Sequence, residues 1–347
     1  ADEFVIGQIM AVAFLTAILC RPVFGMVMDR WGRLPVVYFG GVISLGTALG
    51  YGYVEAIGPG LLALRVTHGV AVGALFSVLF TIAADVVPPE RRAQGLALFG
   101  VSGMLPLALG GLMGDWILGS ASGDYGQLFS AIAACALVGI VVSAPIPETR
   151  TAGGPKPAGF LAVATSPALR PLWIVGLAFA FAIAAFFIFL KTWVLELGQG
   201  SLGDVFAWYS GTAIALRVFL GHIPERFGLK RVLFPALVAT CAGLLATGLA
   251  ESAWTLNLAG VLCGLGHGYA FPIISALVVQ RADPEQRGSA VAMFTALFDL
   301  GALIGGPSLG FIAREAGYPL MFSLAAGTCL AATVLFSWVD RGADEGP

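Results

Sequence analysis

The residues of this chain best suited to chemistry are a few ionisable groups set within or beside long apolar runs. Two strings concentrate them. "RPVFGMVMDRWGR" places Arg21, Asp29, Arg30 and Arg33 around Gly25 and Gly32. "RVFLGHIPERFGLKR" places Arg217, Glu225, Arg226, Lys230 and Arg231 around Gly221 and Gly228. Side chains of this kind, close to a helix end, pair with one another and with backbone dipoles. Their spacing matches neither a nucleophile with its base nor a metal-ligand set. Deeper inside apolar runs lie Asp299, Arg65, His68 and His267. A carboxyl in such surroundings is pushed toward its neutral form by desolvation and toward its charged form by a nearby cation. Asp299 therefore has two readings of equal standing: a proton carrier or counter-ion, and a structural partner of an arginine. The histidines suit proton coupling or hydrogen bonding to a solute, or are simply satisfied by neighbours. Arg21 and Arg217 either snorkel toward a polar boundary or pair in the interior.

The elements that must position these groups are membrane helices. Hydrophobic residues make up 58% of the 347 and charged residues 11%, against about 25% charged in a soluble domain. The formal charge of -2 argues neither for nor against a nucleic-acid partner, whereas the chain's 47 glycines point to the membrane. Small residues let helix backbones approach closely in lipid. A helix needs about 20 apolar residues to cross the hydrocarbon core. Eleven candidate spans follow: 4–26, 35–55, 60–84, 94–118, 127–146, 171–195, 203–223, 232–250, 255–279, 289–313 and 318–339. The joint 147–170 is the natural linker between an N-terminal bundle, 1–146, and a C-terminal bundle, 171–347. If the side holding Arg30 and Arg33 is cytoplasmic, alternation puts thirteen Lys/Arg there and only Arg314 opposite, as the positive-inside rule demands. Asp115 and Lys191 fall near outer span ends and read as interfacial.

The two strings align at a constant offset of 196: Arg21 with Arg217, Gly25 with Gly221, Asp29 with Glu225, Arg30 with Arg226, Gly32 with Gly228. Gly110-Gly111 and Gly305-Gly306 match at 195, and His68-Gly69 and His267-Gly268 at 199. The chain is a tandem duplication with parallel copies, one known design for secondary transporters. The first copy has five spans where the second has six, so its first helix is expected to be absent from this sequence.

"GMVMDRWGR" resembles the signature of the major facilitator superfamily, G-x-x-x-D-R/K-x-G-R/K, between that family's second and third helices. "RVTHG" with Gly73 is similar to its helix-four arginine motif, and "PPERR" and "PEQRG" resemble two of its joints. The resemblance implies a fold of two bundles with five and six helices, and alternating access to a solute. It implies that Asp29 faces the N-terminus of span 289–313, that Arg33 meets Asp85, and that these contacts latch the halves together. The second copy of the latch would use Gly221, Glu225, Arg226, Gly228, Lys230 and Arg231. Where the arginine motif matches, Arg65 is associated with proton transfer. An ion pair between Arg21 and Asp299 is expected from their similar depth. The run "GVSGMLPLALGG" partly resembles the family's antiporter motif but has Leu105-Pro106 in place of Gly-Pro.

The expected function is proton-coupled efflux of a small organic solute by a bacterial inner-membrane protein acting as a monomer. Phe181, Phe186, Phe187, Trp193 and Tyr269 are candidate cavity linings; at helical spacing such residues are also ordinary core or lipid-facing groups. Alternatives are an uptake symporter or facilitator, and a membrane receptor or assembly protein on the same fold. No phosphate loop, nucleophile elbow or metal cluster occurs, so no enzyme activity and no cofactor are expected. The partners expected are the solute, protons and lipid, without nucleic acid. The five cysteines read as small core residues.

Overall fold

The computed structural model describes residues 2–87, 92–119, 124–150, 160–283 and 286–340. The chain is all helical. Its elements are α1 (Glu3–Trp31), α2 (Leu34–Tyr51), α3 (Pro59–Val86), α4 (Arg92–Leu118), α5 (Tyr125–Val142), α6 (Phe160–Thr165), α7 (Arg170–Leu197), α8 (Leu202–Phe219), α9 (Ile223–Phe227), α10 (Leu229–Gly248), α11 (Ala253–Arg281) and α12 (Arg287–Val339). Among the described residues nine helices are long and apolar enough to cross a membrane. The last of them, α12, contains one non-helical residue, Gly317, at φ 82°. The joints expected at "PPERR" and in the middle of the linker, 151–159, lie outside the described residues.

Helix boundaries follow local chemistry. Proline occupies the first turn of α2, α3 and α7, where its missing N–H costs nothing. Asp124 caps α5 and Ser201 caps α8. Ser252 and Thr255 form a reciprocal capping box at the start of α11, satisfying two otherwise orphaned donors. Gly198, left-handed at φ 65°, closes α7.

Two boundaries differ from the sequence expectation. The first span does not stop at 26: α1 continues to Trp31, so Asp29 stands at a helix end as expected and Arg30 belongs to the same helix. The span expected at 203–223 ends at Phe219, and α9 is a separate short helix. Pro224 stands 196 residues after Met28. A proline has no N–H to continue a helix, so the second copy breaks where the first runs on.

The chain divides into two compact units. The first comprises Gln8–Gly100 and Met113–Gly154; the second comprises Asp2–Gly7, Val101–Leu112 and Pro155–Pro347. In the first unit Phe24, Met28, Val36, Val37, Ala74, Val78 and Ile82 form a buried cluster from α1, α2 and α3. In the second unit α11 is the central strut. A Cβ at Gly260 would come within 2.7 Å of the Val205 carbonyl of α8, and one at Gly266 within 2.8 Å of the Ala236 carbonyl of α10. Glycines on two faces of α11 thus bring both neighbours to backbone contact, which dispersion rewards when no water is available to drive association.

Candidate functional site

The charged turn of the first unit is built on Gly32, whose φ of 100° is a left-handed conformation that glycine adopts without penalty. A Cβ there would lie 2.5 Å from the Glu148 carboxylate. That carboxylate instead accepts the backbone N–H groups of Arg33 (2.9 Å) and Leu34 (3.0 Å), the unsatisfied donors at the start of α2. Burial is the largest single influence and opposes its charge, but the N–H groups of Arg33, Leu34 and Arg150 and the Arg33 charge together outweigh it and hold its pKa below the ordinary value. Arg33 Nε donates to Asp85 at 3.1 Å, the pairing expected for it, and Nη1 to the Met28 carbonyl at 3.0 Å. Thr149 adds a hydroxyl to Asp85 at 2.9 Å. At Gly25, no described residue outside its own stretch of helix comes within 4 Å of the Cβ position. Arg30 is exposed, and the Asp29 side chain lies outside the described residues.

The second unit repeats the turn at Gly228, φ 94°, but wires it differently. Lys230 Nζ lies 2.6 Å from the Asp340 carboxylate, and Arg281 forks onto both oxygens of the same group at 2.7 Å. Arg281 stands 196 residues after Asp85, so an acid at one helix end is a base at its equivalent. Burial pushes the Asp340 pKa up, yet Arg281 and Lys230 outweigh it and hold the group below its ordinary value. Glu225, Arg226 and Arg231 are exposed; Arg226 lies over the Phe227 ring at 5.6 Å. Gly221 sits in the turn between α8 and α9, against the Arg217 carbonyl.

Within the spans, Arg21 stacks over Phe76 at 4.9 Å. Arg65 on α3 donates from Nε to the Ile9 carbonyl (3.1 Å), from Nη1 to the Tyr51 hydroxyl (3.3 Å), and reaches Met10 Sδ (2.9 Å). His68 Nδ1 lies 3.3 Å from both the Tyr51 hydroxyl and Arg65 Nη1. In the second unit His267 Nδ1 meets the Tyr209 hydroxyl at 2.5 Å, and Arg217 Nε donates to the Gly268 carbonyl at 3.3 Å. Asp299 is buried on α12 with an interaction of its own.

The aromatic candidates separate. Phe181 and Phe187 are partly exposed, while Phe186 is wholly enclosed. Trp193 is buried, donating to the Thr247 carbonyl at 2.7 Å and packing on Tyr318. Tyr269 donates to the Leu220 carbonyl at 2.9 Å. Phe186, Trp193 and Tyr269 are therefore supports within the helix packing, and the lining role expected for them gives way to that. Sequence reasoning missed Glu148, Arg281, Asp340, Tyr51 and Tyr209. For the two acids a signal existed: each is the first acid beyond the last span of its copy. No described group of His, Cys, Asp and Glu could hold a metal ion.

An all-helical chain of membrane-spanning length, with a left-handed glycine and a charge cluster at the same point of each repeat, is the architecture of a multi-pass carrier. The model of the Major Facilitator Superfamily matches residues 1–203 and again 195–347, and the chain belongs to that family. It is 26% identical over 350 residues to the uncharacterized MFS-type transporter YhhS of Salmonella paratyphi C (strain RKS4594), covering 97% of this chain and 84% of the relative. The Escherichia coli K12 protein of the same name is 25% identical over 347 residues, with the same coverage. Among solved structures, the human organic anion transporter MFSD10 (TETRAN) superposes with a TM-score of 0.73 at 22% identity, over 95% of this chain and 83% of that one. A POT family transporter in complex with 5-aminolevulinic acid gives 0.83 at 12% identity, over 98% and 88%. The protein is an integral multi-pass membrane transporter of this superfamily and not an enzyme.

Proposed function

We propose that the protein exports a small organic solute across a bacterial inner membrane by alternating access, driven by protons. The observation that carries the coupling is Asp299, an acid only 8% exposed within the apolar span of α12. A carboxylate at membrane depth is costly unless it is paired or exchanges a proton. Arg65, His68 and His267 are further titratable or charged groups in the spans of α3 and α11. The export direction rests on the partial antiporter-type glycine run of α4 around Pro106. Eleven membrane helices, five and six, accord with the nine apolar helices among the described residues, the break of α12 at Gly317 and the 18-residue α8 taken as a further span. The halves are taken as 1–146 and 171–347, joined by 147–170.

The test is transport in proteoliposomes with an imposed pH gradient. Asp299→Asn is expected to abolish gradient-driven movement while leaving solute binding measurable. Unchanged gradient-driven transport in that variant overturns the coupling role. Accumulation of solute in the direction of proton flow identifies a symporter in place of an exporter.

A further inference from the structure

The second unit holds two sets of hydrogen-bond donors that the described residues leave unused: one on His267, beside an aromatic surface, and one on Arg217, which is bonded to the backbone of the residue after His267. His267 is 8% exposed. Its Nδ1 is the one described hydrogen-bond partner of the wholly buried Tyr209 hydroxyl. A phenol in that position donates, which places the imidazole proton on Nε2. No described residue accepts from Nε2. Arg217 lies two turns beyond Tyr209 on α8, and helical side chains lean toward the N-terminus of their own helix. It therefore reaches back along α8, and its Nε takes the carbonyl of Gly268, the residue after His267. Its two Nη groups have no partner among the described residues. Asp299, the acid on α12, has an interaction of its own, and not with Arg217.

The surface beside His267 is made of rings. Phe179, Phe187, Phe271 and Phe298 lie with centroids 5.4, 6.1, 5.9 and 6.3 Å from the imidazole. Phe271 and Phe298 meet edge to face at 4.8 Å. Phe179 is fully buried behind, whereas Phe187, Phe271 and Phe298 keep part of their surface open.

We propose that this face of α7, α8, α11 and α12 is a subsite for a planar aromatic carboxylate. The carboxylate takes the two Nη groups of Arg217, the ring lies against Phe271 and Phe298, and His267 Nε2 donates to an oxygen or ring nitrogen of the solute. The donors select the occupant's charge: His267 Nε2 and the Arg217 Nη groups are N–H donors, one set of them cationic, so they match an anion. Arg binds carboxylates with two parallel bonds, and an apolar wall strengthens them. The rings select its shape, since offset and edge-to-face contacts favour a flat aromatic partner over an aliphatic one. The proposal rests on the reading of the protein as a transporter of small organic solutes and names their class.

The test is calorimetric titration of the full chain in lipid nanodiscs, without a pH gradient, using 2-naphthoate, 2-naphthamide and cyclohexanecarboxylate. Naphthoate is expected to bind tightest. Arg217→Gln should weaken it about ten- to hundredfold, as loss of a charge-assisted pair does, while changing naphthamide by no more than about twofold. Arg217→Lys should restore part of the loss, and Phe298→Leu should weaken naphthoate and naphthamide alike. Melting curves establish that each variant is folded; if Arg217→Gln is not, Arg217→Lys, Phe298→Leu and the wild-type ranking of the three probes decide. Naphthoate binding no tighter than cyclohexanecarboxylate, or unchanged in folded Arg217→Gln, overturns the proposal. Naphthoate binding with transport indifferent to the gradient overturns proton coupling alone. Gradient-driven export of other solutes without naphthoate binding overturns this proposal alone.

Discussion

Each unit brings an arginine, a tyrosine and a histidine together, and the two sets are finished differently. In the first, Arg65 is shared among the Ile9 carbonyl, the Tyr51 hydroxyl, Met10 and His68. Its hydrogen bonds run to α1, α2 and its own helix, so the charge is spent on holding elements in place. In the second, Arg217 gives one hydrogen bond to one carbonyl among the described residues, and Tyr209 rather than the arginine holds the histidine. Duplication preserved the turns, but these two sets are not copies of one another: the repeat partner of Arg217 is Arg21, not Arg65. The sets differ in which donors are used up, and unused donors are what a solute can take. The charged ends differ too. The first distributes its acids between Asp85 and Glu148; the second gathers Lys230 and Arg281 on Asp340.

The contrast breaks most visibly at Asp340. Its side chain is 4% exposed and serves two cations, so Asp340→Ala should destabilise the protein by about 3–5 kcal/mol, the cost of stranding buried charge. Asp85→Ala, whose carboxylate is 28% exposed, should cost at most about 1 kcal/mol. Thermal melting in nanodiscs compares them, and equal losses would erase the distinction between the two ends. The sign of the pH effect follows from the lowered Asp340 pKa. Its stabilisation is fully present above the ordinary carboxylate value of 3.8 and is lost as pH falls through the lower folded value. Melting temperature should therefore decline in that acid window more steeply in the wild type than in Asp340→Asn.

Next in size is the pair of arginines. Arg65→Gln should lose about 1.5–3 kcal/mol of stability, as expected for hydrogen bonds made by a charged group, whereas Arg217→Gln should melt within about 1 kcal/mol of wild type because it gives up one long bond. A larger stability loss at Arg217 than at Arg65 would reverse the assignment of structural and available cation. The smallest effect is expected at Glu148→Gln. That carboxylate is largely in solvent, and the single amide oxygen still accepts from one of the Arg33 and Leu34 N–H groups while water serves the other, so the melting temperature should move by no more than a few degrees. A collapse there would show that the turn depends on the carboxylate's charge.

Much of the frame was readable from the residues. Apolar run length and Lys/Arg asymmetry mark helices because lipid leaves the backbone no other partner. The offset of 196 anticipated that Gly32 and Gly228 would share one backbone conformation, and the Arg33–Asp85 contact followed from the resemblance. What escaped depends on faces and reach. Tyr51 and Tyr209 are on different helices from the histidines they meet, and nothing in their local sequence sets them apart from interfacial tyrosines. Phe271 and Phe298 are two among 24 phenylalanines; only helix rotation distinguishes a ring in the open face from Phe186 behind it. The break between α8 and α9 was written in Pro224, but the repeat directed attention to what the copies share and away from the one residue that differs.

The Glu148 carboxylate has a consequence in time as well as in space. It accepts from Arg33, which precedes it by 115 positions. A chain synthesised at about 5–20 residues per second makes Arg33 roughly 6–23 seconds before Glu148 exists. During that interval α1 and α2 can enter the membrane with water, in place of the carboxylate, accepting from the exposed N–H groups at the first turn of α2. The carboxylate that fastens the turn at Gly32 is made only after α3, α4 and α5, so this contact is the last part of the turn to form.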